Sequence, residues 1–229
     1  MSFPERQHEL IETYLAVQDA GLPHVVVGGW AVSAFQTRFT TDVDLVIPAM
    51  ALDEYDELLT RRAYSRVFDK DVSNVYEGRI VQYQKEVAGH PVQVDALVDS
   101  LRCRQTNAEW SYPYLKAHSI VTSLEVASEL AARIPEPSLL FAIKLYSGRL
   151  ADARDLLIIG ANTEYDQIRR HLDRGDQNAL SDQVTAVLER LEADRFADSF
   201  KGVFKQQIVP EDELAELIEF LKSYSRFPT

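Results

Sequence analysis

The stretch that most restricts the fold runs from His24 to Ile47, HVVVGGWAVSAFQTRFTTDVDLVI. Its opening β-branched run, closed off by Pro23 and Gly28, predicts a short buried strand. A helix from about Trp30 to Gln36 follows, with Trp30 packing inward. The closing DVDLVI alternates, so Val43, Leu45 and Ile47 share one face while Asp42, Asp44 and Val46 share the other. Aspartate is disfavoured in strands, and two on one face repel each other unless a cation or an arginine lies between them. Either this strand holds a cation, or it lies at a sheet edge with its charges in water.

The surrounding pattern sets the architecture. Leu10, Ile11, Tyr14 and Leu15 recur at helical spacing over residues 5–17, and Leu58 and Leu59 mark a second helix over 52–62. Residues 79–87 and 90–98 read as two strands turned by Ala88-Gly89, and in the second Gln93, Asp95 and Leu97 share a face. Past Trp110 comes an irregular stretch, and then helices are predicted over about 138–159, 163–173, 179–193 and 211–224. Strands come first and helices follow. The expected fold is α+β: a small mixed β-sheet core flanked by helices over residues 1–110, and a mainly helical part over 111–229.

Two glycines between a strand and a helix make a phosphate cradle, because backbone amides approach the ligand and the helix N-terminus carries a partial positive charge. Gly28 and Gly29 are placed for that, although such a pair also serves simply as a tight turn. At i and i+2 of a strand, Asp42 and Asp44 project side by side, as oxygen ligands of Mg²⁺ do. Asp95 stands in a strand able to lie beside theirs, and Asp99 is a reserve candidate on the same parity. Three convergent carboxylates hold two Mg²⁺ ions about 4 Å apart, a pair that polarises an attacking hydroxyl and steadies a pyrophosphate leaving group.

These residues resemble a known family. Gly28-Gly29, then Arg38-x-Thr40-x-Asp42-x-Asp44 with Leu45, and later Asp95 within VQVDALV, look like the signature of the DNA polymerase β-type nucleotidyltransferase superfamily, and the R-x-T-x-D-x-D ending is similar to its AbiEii-like branch. The resemblance implies a nucleotidyltransferase domain over 1–110. In it, Gly28 and Gly29 would hold the triphosphate of an NTP, and Arg38 would neutralise phosphate or pair with Asp42. Asp42 and Asp44 would bind two Mg²⁺ ions, while Asp95 would ligate the catalytic ion and assist deprotonation of an acceptor hydroxyl. Where many members carry Ser, this chain has Gly29, so amides must do that work.

The resemblance leaves the acceptor open: an RNA such as a tRNA end, as for AbiEii-like toxins with a cognate antitoxin, a small antibiotic-type molecule, or a protein. A rival reading is a non-catalytic nucleotide-binding module acting through a partner. In the second half, KLYSGRLADARD places Lys144 and Asp155 where AbiEii-like proteins carry a helical lysine and a later Arg-Asp pair, which implies contacts to the nucleotide. On one unbroken helix the two would stand about 16 Å apart. They meet only if Gly148 breaks it, and surface charge on an amphipathic helix is the alternative.

Composition excludes some partners. A formal charge of −12 over 229 residues argues against a broad footprint on duplex nucleic acid and suits a carboxylate site for divalent cations. No apolar run reaches membrane-spanning length, and the charged start MSFPERQHELIETYL is unlike a signal peptide, which predicts a cytoplasmic protein without membrane contact. The single cysteine, Cys103, sits between two arginines and fits a reducing compartment. His24, His90 and His118 lack metal-ligand spacing, and His171 with Asp173 reads as a solvated helix end.

Overall fold

A computed structural model describes residues 2–37, 40–71, 79–124, 130–149, 151–204 and 208–225. These form two compact units, the first comprising residues 1–101 and 110–135 and the second 102–109 and 136–229.

The first unit opens with α1 (Ser2–Asp19), β1 (Val25–Val27) and the short α2 (Gly28–Val32), followed by β2 (Asp42–Ile47), α3 (Leu52–Arg61), β3 (Ser65–Asp71), β4 (Arg79–Val87) and β5 (His90–Val98). Among the described residues the five strands make one mixed sheet in the order β1-β2-β5-β4-β3. The β2–β5 pair is parallel and the other neighbours are antiparallel. The alternation read from the sequence sorts its two faces. Val43, Leu45, Val81, Tyr83, Val94 and Ala96 are buried, on the side where α1 brings Leu10, Tyr14 and Val17. The opposite face keeps Asp44, Gln82, Gln93 and Asp95 only half-buried and Asp42 exposed.

The hairpin between β4 and β5 turns on Ala88 and Gly89, both at positive φ (53° and 76°), the conformation of the two-residue turns that match strand twist. After β6 (Ser100–Arg102) and β7 (Glu109–Ser111), the chain adds α4 (Tyr112–Ala117), β8 (Ser119–Ser123) and β9 (Ala131–Pro135). Ser111 caps α4 by accepting from the Tyr114 amide, and β8 and β9 pair antiparallel. These elements replace the irregular stretch expected after Trp110. Both α4 and β9 pack on β1, so residues 110–135 join the first unit rather than the helical half.

The second unit contains α5 (Pro137–Ser147), α6 (Asp152–Gly160), α7 (Tyr165–Arg169), α8 (Gln177–Leu191), α9 (Phe196–Phe204) and α10 (Glu211–Ser225). The single helix expected over 138–159 is two, because Gly148 ends α5 in the left-handed conformation at φ +54°. Asp176 caps α8, accepting from the amides of Asn178 and Ala179. The preceding Gly175, at φ +66°, has room for no side chain: a Cβ there would lie 2.5 Å from the Thr106 carbonyl oxygen. RRHLDRGD is therefore a packed turn. Tyr146 donates to the Leu172 and Arg174 carbonyls at 2.5 and 2.8 Å, and Arg174 donates to the Glu109 carbonyl at 2.9 Å. His171 is fully buried with Nε2 3.1 Å from Glu136 Oε1, not a solvated helix end.

Candidate active site

Strand β1 delivers its last residue, Val27, opposite Asp44 of β2. The chain then turns sharply into α2, and Gly28 makes that turn at φ +64°. A Cβ at this position would lie 1.9 Å from Asp44 Oδ2 and 2.9 Å from its Cγ. Backbone conformation and space both demand glycine here, so the glycine turn and the strand carboxylate form one feature. Gly29 lies in the first turn of α2, where amides have no intrahelical acceptor, and its carbonyl accepts from Ser33 at 3.1 Å. Trp30 anchors the turn: it is 2% exposed and meets the Tyr14 ring edge-on with centroids 5.4 Å apart.

The carboxylates converge by register. Asp42 and Asp44 share a face of β2, and in the parallel β2–β5 pair Asp44 stands opposite Asp95 and Asp42 opposite Gln93. Neighbouring strands lie about 4.8 Å apart, which brings the three side chains to one patch of the sheet. Gln82 of β4 stands opposite Asp95 on its other side. Gln93 Nε2 donates to both Asp95 oxygens at 3.0 Å, and Gln82 Nε2 donates to Oδ1 at 3.1 Å. Burial raises the Asp95 pKa above the ordinary carboxylate value, the two amides pull it back, and the Asp42 charge lifts it further. The donor set is all oxygen, the ligand type that hard divalent cations take.

Arg38 lies outside the described residues. The Thr40 hydroxyl donates to the Asp42 carbonyl at 2.6 Å and so braces the entry to β2. Asp99 adopts φ +66° and its Oδ1 accepts from the Ala49 amide at 2.7 Å, a turn-forming task apart from the carboxylate patch. In the second unit the break at Gly148 brings Lys144 and Asp155 together: Lys144 Nζ donates to Asp155 Oδ2 at 2.8 Å and to Asp152 Oδ1 at 3.1 Å. All three are buried, at 3%, 1% and 0% exposure. Burial would raise the Asp152 pKa, but Lys144 and Arg149 outweigh it and hold it below the ordinary value. Asp152 went unnoticed in the sequence, although its i, i+3 spacing from Asp155 places both on one helical face. Cys103 is likewise buried, and burial pushes its thiol up to about 12, the reverse of activation by flanking arginines.

A small mixed sheet with a glycine turn against its carboxylates, followed by a helical C-terminal part, is a fold shared with solved structures. The solution structure of antibiotic-resistance factor ANT(2'')-Ia matches 75% of this chain and 91% of its own, with TM-score 0.51 and 12% identity. The crystal structure of ANT(2'')-Ia in complex with adenylyl-2''-tobramycin matches 72% and 94%, again with TM-score 0.51 and 12% identity. JHP933 from Helicobacter pylori spans 99% of the chain and 94% of its own at 14% identity, with TM-score 0.47. No family model and no curated protein matches the sequence.

Proposed function

We propose that this protein is a Mg²⁺-dependent nucleotidyltransferase that moves a nucleoside monophosphate from an NTP to an acceptor hydroxyl and releases pyrophosphate. The observation that carries the reading is the junction of Gly28, Asp44 and Asp95: a glycine turn closed onto one carboxylate, with another in register beside it. Two divalent cations held by Asp42, Asp44 and Asp95 would supply charge neutralisation at the transferred phosphoryl group.

The chain's own groups account for the rest. The amides around Gly28 and Gly29 receive phosphate oxygens without a side chain in the way. Asp95 accepts the proton of the acceptor hydroxyl, its raised pKa bringing it nearer to the working pH of a general base. The acceptor oxygen bonds to the α-phosphorus as the bond to the bridging oxygen breaks, and the electron pair leaves with pyrophosphate. Gln82 and Gln93 hold the Asp95 carboxylate in one orientation while the proton moves. In the second unit the assignment of Lys144 and Asp155 to nucleotide binding requires them to leave each other. Their burial as a pair supports a role in shaping the unit instead.

For the acceptor, the charge of −12 favours a small cationic compound with hydroxyl groups, and the adenylylated tobramycin bound by the fold neighbour supports that choice. RNA is the second reading, resting on the AbiEii-like motif.

The test is label transfer from each α-³²P NTP to total RNA, to a metabolite extract or to protein, with Asp44→Asn alongside. Label in one fraction that vanishes with Asp44→Asn supports the reading and selects the acceptor. Mg²⁺-dependent NTP binding with no transfer to any fraction would favour a non-catalytic nucleotide-binding module.

A further inference from the structure

The second unit carries a cavity that the proposed reaction does not use. It measures about 550 Å³ and lies among α6, α8 and the start of α9. Three alanines leave the space open: Ala153 on α6, Ala186 on α8 and Ala193 in the bend after α8. Helix α8 also supplies Arg190, while α6 supplies Arg154 and the turn before α9 supplies Arg195. Three guanidiniums thus line one concavity in a chain whose charge is −12.

The arginines are placed by the backbone. Arg190 Nη1 donates to the Gly148 carbonyl at 2.6 Å, and Arg154 Nη1 donates to the Ser199 hydroxyl at 3.0 Å and its carbonyl at 3.4 Å. Both side chains are half-buried, so their orientation is set before anything binds. The neutral acceptor of Arg190 positions its guanidinium without cancelling its charge. Among the described residues neither Arg190 nor Arg195 has a carboxylate within ion-pair distance. Glu189 is the one acid in the lining and is exposed, and nearby Glu192 is engaged by Lys222 at 2.9 Å. Phe196 and the three alanines are the apolar part of the lining.

We infer that this cavity binds a phosphate monoester of mononucleotide size. Guanidinium forks match phosphate oxygens two by two, and the volume lies within the range of small-molecule sites, roughly 300–1,000 Å³. The phosphate is held by Arg154, Arg190 and Arg195, with the Ser199 hydroxyl as a further donor. The organic part rests on Phe196 and the alanines. The site is independent of the carboxylates of the first unit and needs no metal.

Calorimetric titration of the full chain in EDTA tests this with AMP, ribose 5-phosphate, inorganic phosphate and adenosine as probes. AMP and ribose 5-phosphate saturate at one site per chain, inorganic phosphate competes with them, and adenosine does not bind. Arg190→Gln and Ala193→Glu each weaken AMP binding by roughly tenfold or more, the loss expected for a charge-assisted contact. Ala193→Glu alters only the partly exposed rim, and it decides the matter if Arg190→Gln fails to fold. Asp44→Asn binds AMP as the wild type does. Absence of saturable binding, equal binding of adenosine, full affinity in Ala193→Glu, or loss of affinity in Asp44→Asn would each overturn the assignment.

Discussion

Asp44 and Asp95 stand opposite each other in register across the parallel strands β2 and β5, and Asp44 also presses its Oδ2 against the space where a side chain at Gly28 would begin. Charge and close packing meet on one carboxylate. Disturbing either neighbour therefore has effects that separate stability from chemistry.

Gly28→Ala places a methyl 1.9 Å from Asp44 Oδ2 on a left-handed backbone. The backbone alone costs about 1–2 kcal/mol, and the carboxylate must rotate away. A misplacement of about 1 Å lowers rates roughly a hundredfold, so label transfer falls at least that far. Thermal denaturation and label transfer measure the two effects, and retention of wild-type transfer would remove Gly28 from the site.

Asp95→Asn abolishes transfer yet stabilises the metal-free protein at neutral pH by about 1 kcal/mol, as relief of strained functional charges does. The sign follows from the raised folded-state pKa of Asp95. Its contribution to stability is fully present below the unfolded value of about 3.9 and is lost as pH rises through the folded value. The advantage of the variant accordingly shrinks as pH falls toward about 4. Urea denaturation across this pH range, in EDTA, measures it, and a variant less stable than wild type at neutral pH would contradict the account.

Gln93→Leu removes the amide that donates to both Asp95 oxygens at 3.0 Å. Those bonds lower the Asp95 pKa, so their loss raises it further and moves the acid limb of the pH–rate profile to higher pH. A fall in rate at every pH, with the limb unmoved, would make Gln93 merely structural.

Lys144→Met removes the buried cation that Asp152 and Asp155 share, while Asp152 keeps Arg149 at 3.3 Å. Breaking a buried ion pair from one side costs about 3–5 kcal/mol, and adding Asp155→Asn returns part of it. Urea denaturation of single and double variants measures this. A loss below about 1 kcal/mol would show that the ion cluster does not shape the second unit.

The core of the first unit was legible because its strands obey a period of two. In DVDLVI and HPVQVDALV the alternation separates buried from half-open faces, so parity put Asp95 on the half-open face, whereas its place opposite Asp44 is set by the register of the β2–β5 pair, which parity does not give. Strand β3 was not legible: SRVFDKD is charged, edge-lying and interrupted by a bulge at Arg66/Phe68, which breaks the alternation. Short elements such as α4, β8 and β9 offer too few residues for a period to register. Helix α9 escaped notice although FADSFKGVF repeats Phe every fourth residue. The meeting of Lys144 with Asp155 depended on Gly148 adopting positive φ, which a sequence permits without requiring. The burial of His171 depends on Glu136, 35 residues away, and no local pattern announces such a partner.

The proposed reaction requires Asp42, Asp44 and Asp95 together to hold the divalent cation on which nucleotide binding depends. A Mn²⁺ titration followed by electron paramagnetic resonance, in the presence of a non-hydrolysable NTP analogue, tests it most directly. The wild type is expected to bind Mn²⁺ saturably, with binding lost in Asp44→Asn and weakened in Asp95→Asn while both variants remain folded. Undiminished Mn²⁺ binding in Asp44→Asn would contradict it.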